Sequence, residues 1–171
     1  MTRIEFVFDS TRIAGMAAFG ASALVCVSAA TSSRMRRPSI WWVLAAAQLL
    51  CLVEIVFAFR YRLHGAFNAL LQDHGLYGSR ERWQASLLIA VLAASAGLAG
   101  VLCWRHRADR AAVLAIVGAT LGLLALAAEA ISLHRIDTLM YAPLGPLAGV
   151  VWMWIAAAVL VTGAALDASL R

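Results

Sequence analysis

Five apolar runs constrain this chain more than anything else in it. They cover residues 13–31, 40–59, 85–102, 111–133 and 147–166, and each is close to the roughly 20 residues an α-helix needs to cross a bilayer. In hydrocarbon every backbone N–H and C=O must be satisfied within the chain, so runs of this length fold as helices. The expected fold class is all-α: a polytopic membrane helical bundle of about five transmembrane helices, forming one integral membrane domain over residues 1–171. Composition agrees, with 63% of residues hydrophobic and 13% charged, against about 25% charged in a soluble domain. Ser28-Ala29-Ala30 resembles a signal-peptide cleavage site, but a run of this length is read as a membrane helix.

The connections carry the charge. All 14 basic residues are arginine, which together with the abundant alanine suggests a GC-rich bacterial genome and hence the bacterial cytoplasmic membrane. Arg34, Arg36 and Arg37 fill one short turn, and Arg105, Arg107 and Arg110 fill another. Arginines between apolar runs set topology and contact anionic lipid, so the net charge of +5 does not point to nucleic acid. Short basic turns stay in the cytoplasm. With five spans, the N-terminus is then outside and the C-terminus inside. Cys26, Cys51 and Cys103 have no CxxC spacing and lie in or at the end of apolar runs, where they read as small buried hydrophobes.

The longest connection, residues 60–84, lacks a breaker over Arg60–Gln72 other than Gly65. A helix continuous with the second span is expected there, because Glu54, Tyr61, Asn68 and Gln72 then share one stripe. His74-Gly75 and Tyr77-Gly78 end it, and Ser79 is placed to cap the next helix. Trp41, Trp42, Trp83, Trp152 and Trp154 fall near the run ends, as interfacial indoles do. Ser95, Ala96, Gly97 and Gly100 give the third span a small-residue surface for close helix approach, and Gly118 and Gly122 form a GxxxG pair in the fourth. Pro143, Gly145 and Pro146 stop any helix before the fifth.

Chemistry concentrates on one side. Glu54 and Glu129 each lie about one turn inside the end of an apolar run, where a charged group costs up to about 2.5–3.5 kcal/mol on insertion scales. If the helix runs on from Glu129 to Tyr141, Glu129, His134, Asp137 and Tyr141 share one face. Upstream, in a weaker version of the pattern, His64 follows Glu54 about 80° to the side of its stripe. Carboxylates and imidazoles in this company suit a transition metal, iron, copper, zinc or manganese. The metal-ligand candidates are Glu54, His64, Glu129, His134 and Asp137. The spacing differs from the Glu-x-x-His of di-iron bundles. A competing reading pairs the two glutamates with Arg60, Arg62 or Arg135. Proton relay, or a haem or quinone site, forms the second chemical class.

These readings lead to metal-dependent or proton-coupled redox chemistry on a lipid-soluble or periplasmic substrate. A proton-coupled small transporter, and a non-catalytic accessory subunit of a larger membrane complex, are the alternatives. The partners expected are the lipid bilayer and either other membrane subunits or further copies of the chain. There is no GxSxG elbow and no phosphate-binding loop.

Overall fold

The structure, a computed structural model, describes residues 10–32, 38–131 and 134–170. The side chains of residues 134 and 135 lie outside the description. Five helices are long and apolar enough to cross a membrane: α1 (Ser10–Thr31), α2 (Pro38–Phe57), α4 (Arg80–Arg105), α5 (Arg110–Ile131) and α7 (Gly149–Leu170). The chain is a polytopic helical bundle. Two shorter helices, α3 (Phe59–Asp73) and α6 (His134–Met140), and a small hairpin of β1 (Pro143–Leu144) and β2 (Leu147–Ala148) join the spans. Gly145 at φ +71° turns the hairpin, a conformation that costs a residue without a Cβ nothing.

Helix α1 packs on α2 and α7, and α5 packs on α7, α4 and α2. Two buried clusters stack along the bundle. One, at the α4–α5 turn, is alanine-rich, with Ala112, Ala115, Ala119, Ala164 and Ala165 around Trp41 and Leu44. The other, towards α3, is larger-grained and holds Phe19, Ile55, Met140, Val150 and Trp154. Cys26 and Cys51 are buried, one in each cluster. Small residues matter here because lipid supplies no hydrophobic drive between helices, so dispersion from close approach has to. A Cβ on Gly118 would come within 2.9 Å of the Ala157 carbonyl oxygen, and one on Gly122 within 3.2 Å of Phe19 Cε1. The GxxxG pair therefore serves packing within the chain, against α7 and α1.

The small-residue face of α4 does not. A Cβ on Gly97 or Gly100 would meet nothing within 4 Å. Ser86, Ala90, Ala93, Gly97 and Gly100 are all exposed, on the side of α4 opposite the stripe of Gln84, Leu88, Ser95, Ala99 and Leu102 that is buried or partly buried. The tryptophans also divide. Trp42 is half-exposed, as an interfacial indole should be, whereas Trp41 and Trp154 are fully buried.

The connection after α2 is helical as expected but not continuous with it. Ala58 lies in the left-handed region at φ 52°, ψ 44°, and α3 sets off in a new direction. For a residue with a Cβ this conformation costs about 1–2 kcal/mol. At its far end α3 closes with Leu76 N donating to Leu71 O at 2.8 Å and Gly75 N to Gln72 O at 3.0 Å. That is a Schellman cap with Gly75 at φ +67°. Ser79 does not cap α4 with its side chain, since its Oγ donates to Leu76 O.

Candidate functional site

The break at Ala58 builds the site. In an unbroken helix, residues 54 and 60 stand about 9 Å apart along the axis and on different faces. With the break, Arg60 N donates to Glu54 Oε1 at 3.1 Å, and Arg60 Nη1 donates to Glu54 Oε2. The N-cap residue, Ala58, has no side-chain oxygen to offer. The Glu54 carboxylate supplies the acceptor from the last turn of α2 instead, where it also favours the positive end of the α3 dipole.

Arg60 reaches inward to a second carboxylate. Its Nε is 3.2 Å from Glu129 Oε2 on α5, in ion-pair range but not aligned as a hydrogen bond. Tyr141, just past α6, donates its hydroxyl to the same Glu129 oxygen at 2.7 Å. That bond rules out a single straight helix from Glu129 through Tyr141. Twelve residues of helix would separate them by about 18 Å, so α6 must turn back towards the end of α5. The guanidinium lies over the rings of Tyr61 at 5.0 Å and Trp154 at 5.6 Å. The Trp154 N–H borders Glu129 without reaching hydrogen-bond geometry, and Glu129 Oε1 is buried without a hydrogen-bond partner among the described residues.

The centre is dry. The Arg60 side chain is 4% exposed and that of Glu129 1%, while Glu54 keeps 17%. Burial lowers the Arg60 pKa, but the neighbouring Glu129 and Glu54 more than offset it, and the net direction is upward. Arg60 is a fixed cation. Burial and then the Glu129 carboxylate push the Tyr141 phenol well above its ordinary value, so it stays a donor. One guanidinium faces two carboxylates. With all three ionised, the group carries one negative charge in excess.

Of the five metal-ligand candidates, Glu54 and Glu129 share a site, with the Arg60 guanidinium between them. His64 lies on α3 with Nε2 at 2.8 Å from Asn68 Nδ2 on the same helix, while its Nδ1 is buried without a hydrogen-bond partner among the described residues. Asp137 lies on α6, and the side chain of His134 is outside the described residues. Among the described residues, no three His, Cys, Asp or Glu side chains converge as a metal site requires. The competing reading, arginine pairing, is the one these contacts display, with Arg60 as the arginine. A signal for it existed, because Arg60 is the first charge after the apolar run that contains Glu54.

Beside this group a cavity of about 320 Å³ opens between α2, α3 and α5. Its walls are apolar, from Leu50 and Val53 on α2, Leu63 on α3, and Leu123 and Ala127 on α5. Glu54 and Arg60 close one side. The volume is within the range of small-molecule sites. Compared with protein-family models, curated proteins and solved structures, the chain matches none.

Proposed function

We propose that the chain is a membrane-embedded binding protein for a lipid-soluble molecule, seated in the cavity between α2, α3 and α5. One observation carries this reading. The cavity is apolar, and the Glu54–Arg60 ion pair sits at its edge with little polar surface turned into it. The head group it suits is neutral and donates a hydrogen bond, as an alcohol or quinol does. An anionic head would face two carboxylates whose one cation is already engaged, and a cationic head would have to be desolvated. Glu54 has lone pairs to spare for a donor, since a carboxylate offers about four acceptor sites. The excess negative charge of the group also suits a ligand that brings a proton, which links this reading to proton-coupled chemistry on a lipid-soluble substrate. The setting is a bacterial cytoplasmic membrane, with the arginine turns in the cytoplasm and α3 on the outer side.

The test is binding of a decyl-substituted benzoquinol to the purified chain in nanodiscs, followed by quenching of tryptophan fluorescence. Ala127→Trp fills the cavity and should abolish saturable quenching. Ala93→Trp, on the exposed face of α4, should leave it intact. Quenching that rises without saturation, and equally in all three proteins, would mean simple partition into lipid and would end the proposal.

A further inference from the structure

Helix α3 has features that a fixed structural helix does not need. Of its fifteen residues only Arg60 and Leu71 are buried. It forms one wall of the cavity through Phe59, Arg60 and Leu63. It joins α2 through one residue, Ala58, held in a left-handed conformation without a side-chain cap. Its polar attachment to the bundle at that end is Arg60, reaching Glu54 on α2 and Glu129 on α5.

We infer that α3 is a hinged wall of the cavity, pivoting at Ala58 and latched shut by Arg60 on Glu54 and Glu129. This rests on the cavity being a binding site and says how that site opens. The latch is chemically suited to release by the ligand itself. A head group that donates to Glu54 competes with Arg60 Nη1 for the same carboxylate, so occupancy and latching are coupled through one acceptor. The groups facing Arg60 are Glu54 from α2, Glu129 from α5, Tyr141 after α6, Trp154 from α7, and Tyr61 on α3 itself. Release breaks the ion pairs to Glu54 and Glu129 and the cation–π contact with Trp154, while Tyr61 moves with α3, and it uncovers little apolar surface, because so little of α3 is buried. Ala58 also gains by leaving its left-handed conformation, which offsets part of the cost.

The experiment places spin labels at Ile13→Cys on α1 and Ala69→Cys on α3, both exposed sites near the same end of the bundle. Cys103→Ala removes the accessible native thiol, and Cys26 and Cys51 are buried. Electron–electron distances are read on the full chain in nanodiscs. Ala69 lies eleven residues beyond the pivot, about 16 Å along the helix, so a rotation of about 20° displaces it on the order of 5 Å. The latched protein should give one narrow distance distribution. Glu54→Gln with Glu129→Gln should add a population displaced by several ångström, and Arg60→Lys, a milder change, a smaller one. The same narrow distribution in all of these, with helical circular dichroism retained, overturns the hinge. So does loss of helical signal in both the double variant and Arg60→Lys, because the group would then be a folding element and not a latch. Adding the benzoquinol separates the two proposals. A moving α3 with no saturable binding keeps the hinge and removes the ligand, whereas saturable binding at a fixed distance does the reverse.

Discussion

Arg60→Met should be among the most destabilising single substitutions in the protein, for a reason its neighbours make calculable. The methionine keeps the apolar stem of the side chain out to the position of Nε, but removes the guanidinium with its charge and its contact with Trp154. Glu54 and Glu129 are then left facing each other without a cation. Glu129 is 1% exposed, so water cannot compensate there, while Glu54 at 17% retains some hydration. Removing one partner of a buried ion pair costs about 3–5 kcal/mol, and the exposure of Glu54 places the expectation near the lower end of that range. The charge count then predicts an order. Glu54→Gln or Glu129→Gln turns a group with one excess negative charge into a balanced pair, so each should cost only about 1–2 kcal/mol, the loss of a charge-assisted hydrogen bond. The triple variant Arg60→Met, Glu54→Gln, Glu129→Gln has no buried charge left. It should recover most of the loss, because replacing a whole ion-pair group is often close to neutral. Reversible unfolding in mixed micelles, followed by far-ultraviolet circular dichroism, measures all four. If Arg60→Met costs less than about 1 kcal/mol, or the triple variant is no better than the single one, the triad is not what holds α3 in place.

Three further outcomes test separate parts of the structure. Gly118→Ala should destabilise by about 1–3 kcal/mol, because a backbone carbonyl blocks the new methyl at 2.9 Å, whereas Gly97→Ala should be tolerated in the same unfolding assay. Ala58→Gly should be neutral to stabilising by up to about 1 kcal/mol, and Ala58→Val clearly destabilising, since a β-branched residue is poorly accommodated at positive φ. Tyr141→Phe removes the donor to Glu129 and should cost about 1–3 kcal/mol near neutral pH. The same residue gives a pH dependence. Its folded pKa is raised, so its contribution is complete below the unfolded value of about 10 and is lost as pH rises beyond it. Stability should therefore fall less steeply above about pH 10 in Tyr141→Phe than in the wild type, and identical slopes would count against the buried phenol.

What the sequence discloses divides along physical lines. Span number and helix class follow from run length, because a bilayer leaves the backbone no other way to satisfy its hydrogen bonds. Gly118 with Gly122, Gly75 and the Pro143–Pro146 turn are legible for a similar reason, as each residue type has few conformational alternatives. Trp41 and Trp42 are not separable by composition. Both are indoles at a run end, and only the direction of α1 and α5 puts one in the core. Continuity was the inference that failed, at Ala58 and again between Glu129 and Tyr141. Alanine is the best helix former, so no local signal marks residue 58 as a break.

The break becomes intelligible only with the charges included. A continuous helix would carry Arg60 away from Glu54 and leave a carboxylate inside the apolar slab, at a cost of the order of a few kcal/mol. One residue at positive φ costs about 1–2 kcal/mol, and in return Glu54 gains a backbone N–H, a guanidinium and the positive end of the α3 dipole. The strained alanine and the buried glutamate are thus two ends of one compromise. Glu54→Leu tests the exchange directly. With no carboxylate to satisfy, the strain at Ala58 has no compensation, and α2 should run on into α3 as the unbroken apolar pattern implies. The Ile13–Ala69 spin-label distance should then remain single but be longer than in wild type. A wild-type distance in Glu54→Leu would show that packing of α3 on α5, and not the carboxylate, dictates the break.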